Sequence, residues 1–134
     1  MDLQDRTRLI FEALITGGDF ELAAELIDPA YSDPRGPSGV DGFIGGLKAV
    51  RQAFPDWSST VEESIVQGDT VAARWTVRGT QRGDFMGIPA TGRTIEMQEC
   101  GFLSFREGRL LEIRRVADEL TLLRQLGAIP GQQP

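Results

Sequence analysis

With no histidine anywhere in the chain, proton transfer near neutral pH falls to the carboxylates. Asp118 stands out among them by position. In the stretch EIRRVADELTLLRQLG, residues 112–127, an alternating pattern gives way to helical spacing of Leu120, Leu123 and Leu126. Asp118 sits at that junction and reads two ways. As a helix N-cap it would simply accept hydrogen bonds from the first turn. As the last residue of a strand at the mouth of a pocket it would point inward, where an apolar wall raises a carboxyl pKa toward the range a proton shuttle needs.

Arg114 lies four residues earlier, on the same side of an unbulged strand, together with Glu112; Ile113 and Arg115 take the other side. Turned inward, Arg114 would favour an ionised Asp118 and stabilise negative charge on a substrate oxygen. Turned outward, it is an ordinary surface arginine, with Glu112 as its salt-bridge partner. Trp57 and Trp75 are the large aromatics of the strand region. Together with Phe43, Phe54, Phe85, Met86 and Met97 they suit an apolar ligand cavity as well as they suit a plain core.

The composition narrows the chemistry further. A chain of 134 residues is expected to form one domain, residues 1–134, with room for a core and a small-ligand cavity. The net charge of −6 argues against a nucleic-acid or anionic-membrane surface. No apolar run approaches the ~20 residues needed to span a bilayer, and the N-terminus lacks the basic-then-apolar order of a signal peptide. Cys100 is the single cysteine, so no internal disulfide forms, which suits a cytoplasmic location. One thiolate and carboxylates are poor ligands for zinc, and no metal or cofactor is expected.

The elements that must position these residues follow from periodicity. Leu3, Ile10, Phe11, Leu14 and Ile15 predict a helix ended by Gly17-Gly18, and Leu22, Ala23, Leu26 and Ile27 a short one stopped at Asp28-Pro29. The turn-rich YSDPRGPSGVDG allows only a short extended piece near Tyr31. A third helix is predicted from about Val40 to Ala53. From Trp57 the period becomes two: WSSTVEESIVQ, TVAARWTVRGTQ, TIEMQECGFLSF and RLLEIRRVA predict a four-stranded antiparallel meander. Val71, Ala73, Trp75 and Val77 would give one strand an exposed apolar face for a homodimer or higher homo-oligomer. A last helix ends at Gly127, and residues 128–134 read as a flexible tail or lid.

Helices first and a curved antiparallel sheet after them make an α+β arrangement, a cone-shaped α+β barrel with a ligand pocket at its open end. The motifs FPDW, GDTVAARW, GTQRGDFMGIPATGR, REGRLLEI and D-x-x-x-L-L-x-Q-L-G occur in that order. The chain thereby resembles the SnoaL-like polyketide cyclases of the nuclear transport factor-like cone superfamily, from roughly Asp19 to Gly127. The resemblance implies that Asp118 is the catalytic acid/base. It also marks two departures: Gln81 stands where the family commonly has histidine, and YSDPRGP offers Asp33 where another histidine is common. Gln81 can donate and accept hydrogen bonds but cannot exchange protons.

Three readings follow. The first is a cofactor-independent cyclase acting on a hydrophobic polyketide-type substrate by an intramolecular aldol closure. Asp118 would serve as general acid/base, while Arg114, Gln81 and Gln98 polarise carbonyls. The second keeps the pocket for a hydratase, dehydratase, epoxide hydrolase or hydroxylase, and needs a second buried acid among Glu96, Glu99, Glu112 and Asp33. The third is a non-catalytic binding cone, which predicts a solvent-facing Asp118 and a pocket filled by side chains.

Overall fold

The computed structural model describes residues 1–34 and 36–129; Arg35 and residues 130–134 of the expected tail lie outside the described residues. The chain opens with helix α1, Leu3–Leu9, capped by Asp2, whose side chain accepts a hydrogen bond from the Asp5 amide at 2.8 Å. It runs on without a break as a π-helix, Ile10–Thr16. Sequence spacing predicted one uniform helix. This segment takes the wider i→i+5 turn instead, with Ile10, Phe11, Leu14 and Ile15 all in the core. Gly18, at φ 69°, ends it, and the Arg51 guanidinium donates to the Ile15 and Thr16 carbonyls at 2.8 and 3.1 Å.

A 3-10 turn, Phe20–Leu22, and helix α2, Ala23–Leu26, lead into strand β1, Ile27–Ser32. Helix α3, Gly39–Ala53, follows, then β2, Ser58–Gln67; β3, Thr70–Thr80; β4, Thr94–Arg106; β5, Arg109–Ala117; and helix α4, Glu119–Gln125. The predicted meander of β2 to β5 is present, but the sheet has five strands in the order β1-β5-β4-β3-β2. β1 is the addition, paired in parallel with β5. Ile27, expected in a helix, starts this strand. Pro29 is tolerated there because β1 is an edge, where a missing N–H breaks no ladder. Asp28 fastens that edge: its carboxylate takes two hydrogen bonds from Arg106 of β4, at 2.7 and 3.0 Å.

The inner face of the sheet carries Val71, Ala73, Trp75, Val77, Met97 and Leu103, all buried against the N-terminal helices. This corrects the expected self-association surface, because the β3 residues proposed for it face inward. Ile65, Phe102 and Val116 are the exposed large apolar side chains of the outer face. Gly101 permits the bend: a Cβ there would stand 2.3 Å from the Arg114 carbonyl oxygen.

One irregularity sets the side-chain directions of β5. Ser104 pairs with Glu112 while the next residue, Phe105, pairs with Leu110, so Leu111 is an extra residue in β5. Leu110 and Ile113 therefore both face the core, and Arg115 and Ala117 follow Ile113 inward. Glu112, Arg114 and Val116 are turned the other way, and the Arg114 side chain is 73% exposed. Among the described residues no helix is long and apolar enough to cross a membrane.

Candidate functional site

Between α3 and the inner face of the sheet lies a cavity of about 440 Å³, well within the size range of small-ligand sites. α3 supplies Gly42, Phe43, Gly46, Leu47 and Val50, and the strands supply Trp75, Met97 and Ile113. Trp57, just before β2, and Phe85, in the loop after β3, complete the apolar wall. A wider depression of about 630 Å³ beside Asp28, Arg106 and Arg109 lies open on the surface and is filled with paired charge. It lacks both enclosure and apolar walls, which makes the inner cavity the candidate site.

Phe54 backs this wall from behind. It is fully buried, edge-on to Trp57 and Phe85 with ring centroids 5.4 and 5.1 Å away. Five expected ligand contacts (Trp57, Trp75, Phe43, Phe85 and Met97) thus line the cavity and Phe54 braces two of them. Gln98 is elsewhere: exposed on the outer face, it accepts from Arg74 and donates to Thr76, both at 2.9 Å.

Gln81 has a different position from the one the sequence suggested. Its side chain is fully buried, donating to the carbonyls of Gly83 at 3.1 Å and Ile88 at 2.9 Å. Its Oε1 accepts from the Thr91 amide and hydroxyl, at 3.1 and 2.8 Å. All four bonds clamp the 82–93 loop, which carries Phe85 to the cavity.

Asp118 is exposed and does not line the cavity. It caps α4, accepting from the Thr121 hydroxyl at 2.6 Å and the Thr121 amide at 3.3 Å. Those bonds hold its carboxyl below the ordinary carboxylate range, the opposite of the upward shift expected from an apolar wall. Arg114 shares this outer side, paired with Glu112.

The charged groups that do line the cavity are Asp33, Glu99, Arg115 and Glu119. Glu99 of β4 pairs directly with Trp75 of β3, and the indole Nε1 donates to Glu99 Oε1 at 2.7 Å. Arg115 of β5 is two positions along from Ala117, the residue opposite Glu99, so the two are diagonal neighbours within reach of long side chains. An Arg115 Nη1 stands 3.5 Å from an Asp33 carboxylate oxygen, while its buried Nε has no hydrogen-bond partner among the described residues. Tyr31, 2% exposed, also lines the site; burial pushes its phenol up, with Asp33 adding to the effect, so it stays protonated at any ordinary pH.

Asp33 and Glu99 were among the acids weighed from sequence, whereas Arg115 and Glu119 were not assigned a role. The available signal was Ile113: taken as the core anchor of β5, it places Arg115 inward by simple alternation. Among the described residues no group of three or more Cys, Asp or Glu side chains is arranged to hold a metal ion.

Comparison with known proteins matches this geometry to one family. A family model described as SnoaL-like polyketide cyclase matches residues 5–126. The aklanonic acid methyl ester cyclase DnrD of Streptomyces peucetius is 29% identical over 133 residues, covering 92% of this chain and 89% of that protein. The crystal structure of IdmH from Streptomyces antibioticus superposes with a TM-score of 0.80 at 34% identity, over 95% of this chain and 99% of that one. TsrD from Streptomyces laurentii superposes with a TM-score of 0.82 at 27% identity, over 95% and 93% of the two chains.

Proposed function

The chain belongs to the SnoaL-like polyketide cyclase family, and from that premise we propose that it closes a ring on a polyketide-type substrate held in the cavity between α3 and the sheet. The observation that carries this reading is one largely apolar cavity holding both a carboxylate oriented by an indole N–H and a guanidinium.

Glu99 is the general acid/base in this reading. The indole N–H of Trp75 donates to Glu99 and fixes the direction of its carboxylate. Glu99 removes a proton from carbon flanked by carbonyls, the enolate carbon attacks a second carbonyl, and the new alkoxide takes that proton back. The Arg115 guanidinium, on a side chain 33% exposed, polarises the carbonyl under attack, and Tyr31 supplies a protonated phenol to the same site. Asp33 keeps the guanidinium in place. The cavity walls hold the chain folded, a contribution that can reach ~7 kcal/mol of the barrier or more. The chemistry requires no cofactor.

The deciding experiment is turnover of an aklanonic acid methyl ester-type substrate by wild type and Glu99→Gln, with binding followed separately. Loss of turnover with binding kept supports the assignment; a Glu99→Gln variant with wild-type rate overturns it. A second reading, addition or removal of water, is favoured by the presence of three carboxylates, Asp33, Glu99 and Glu119, around one cavity. It predicts a product heavier or lighter than the substrate by one water, whereas an aldol closure leaves the mass unchanged.

A further inference from the structure

On α3, the cavity is lined by positions 42, 43, 46, 47 and 50, one face of the helix. Three of them are Phe43, Leu47 and Val50. The other two are glycines, and Gly46 leaves a notch in the middle of the stripe. Glycine within a helix is unfavourable by about 1 kcal/mol relative to alanine, so the helix itself gains nothing from it. Nor does packing require it: a Cβ at Gly46 would meet no atom within 4 Å. Gly42, one turn earlier, differs, since a Cβ there would come within 2.7 Å of Pro37. Gly42 answers to a close backbone approach, and Gly46 to empty space inside the cavity.

We propose that Gly46 sets the size of the ring system the cavity accepts: its missing side chain is the seat for the part of a multi-ring substrate that lies against α3. The proposal rests on the reading of this cavity as the substrate site. The opposing wall is fixed, because Trp75 is held by Glu99 and packs on Phe11 with ring centroids 4.8 Å apart. A side chain added at position 46 therefore takes room from the ligand that Trp75 is not free to give back.

The same helix provides the control. Gly45 also has open space around its Cβ, but it is exposed and does not line the cavity. Leucine at either position improves helix propensity equally, and only at 46 does it occupy the site.

Both tryptophans of the chain, Trp57 and Trp75, line this cavity, so intrinsic fluorescence reports on its contents. Wild type, Gly45→Leu and Gly46→Leu would be titrated with 2-naphthol, a two-ring probe, and 1-hydroxyanthraquinone, a three-ring probe. The expected result is a loss of about tenfold or more in anthraquinone affinity for Gly46→Leu. Naphthol binding should stay near wild type, and Gly45→Leu should behave as wild type with both probes. Gly46→Ala keeps the test open should the leucine variant not fold, with a smaller loss confined to the three-ring probe. Equal anthraquinone affinity in wild type and the Gly46 variants overturns the size role while leaving the cavity as the ligand site. Failure of wild type to bind either probe overturns both readings.

Discussion

Trp75 and Glu99 are directly opposed residues of β3 and β4, and the indole of one holds the carboxylate of the other at 2.7 Å on the cavity side of the sheet. If this contact orients the acid/base, Trp75→Phe should keep the apolar wall and lose the orientation. The expected outcome is a fall in kcat of about tenfold or more with a smaller change in KM, against a fall of about 10²–10⁴-fold for Glu99→Gln. Steady-state kinetics on both variants, with the double variant no worse than Glu99→Gln alone, checks that they act as one unit.

Arg115 is predicted to act on the substrate oxygen and Asp33 to act through Arg115. Arg115→Gln should therefore lower kcat/KM by about 10²-fold, and Asp33→Asn by less. Once Arg115 is gone, the Asp33 substitution should have little further effect. A double-mutant cycle on kcat/KM measures this; strict additivity would separate the two residues.

Asp118 gives the sharpest discrimination between the sequence-based mechanism and the one drawn from the cavity. Asparagine is as good a cap as aspartate, so Asp118→Asn should leave both the melting temperature and the turnover close to wild type. Asp118→Ala should lower the melting temperature while the folded fraction stays active. Abolished turnover in a fully folded Asp118→Asn would restore it as the acid/base.

Gln81 is predicted to be a structural clamp. Gln81→Leu removes four hydrogen bonds inside the 82–93 loop and should destabilise the fold by ~2–4 kcal/mol. Hydrogen exchange at the Thr91 amide should accelerate by more than the global change accounts for, and probe affinity should fall because the loop carries Phe85.

Stability should also fall in acid through the edge ion pair. The Arg106 hydrogen bonds, with help from the Ala30 amide, hold the Asp28 carboxyl below its ordinary value. A carboxylate with a depressed folded pKa contributes fully above its unfolded value of ~3.9 and loses that contribution as pH falls through the folded value. Arg106→Gln should thus be less stable than wild type near pH ~6, with the gap closing toward pH ~2. Melting temperatures across that range measure it.

The sequence made the order of elements readable because each carries its own period: β2 to β5 alternate, and Val40 to Ala53 repeats as a helix. Only the Tyr31 end of β1 was legible, as a short extended piece; its start at Ile27 and its pairing were not, because Asp28-Pro29 looks like a stop signal and the partner strand is remote in the chain. The wall residues Trp57, Trp75, Phe43, Phe85 and Met97 were legible as large apolar groups of the strand and helix faces. Among the polar ones Asp33 and Glu99 were legible as candidate acids; Arg115 was not, and the cause is local. The extra residue Leu111 reverses alternation after Leu110, so Arg115 takes the inward place that an unbroken pattern gives Arg114. The binding-cone reading foresaw an outward Asp118, but its filled pocket is absent.

The parallel pairing of β1 with β5 bears on how the molecule is made. Ile27 finds its partner at Leu110 only after β2, β3 and β4 have all been synthesised. Until then the first helices have an incomplete sheet to cover, and their apolar residues wait exposed. Such a distant closing contact slows folding, since chain must be looped before the contact stabilises it. The pairing that adds β1 to the sheet is thereby among the last the chain can make, and the nascent chain stays open to aggregation until β5 is available.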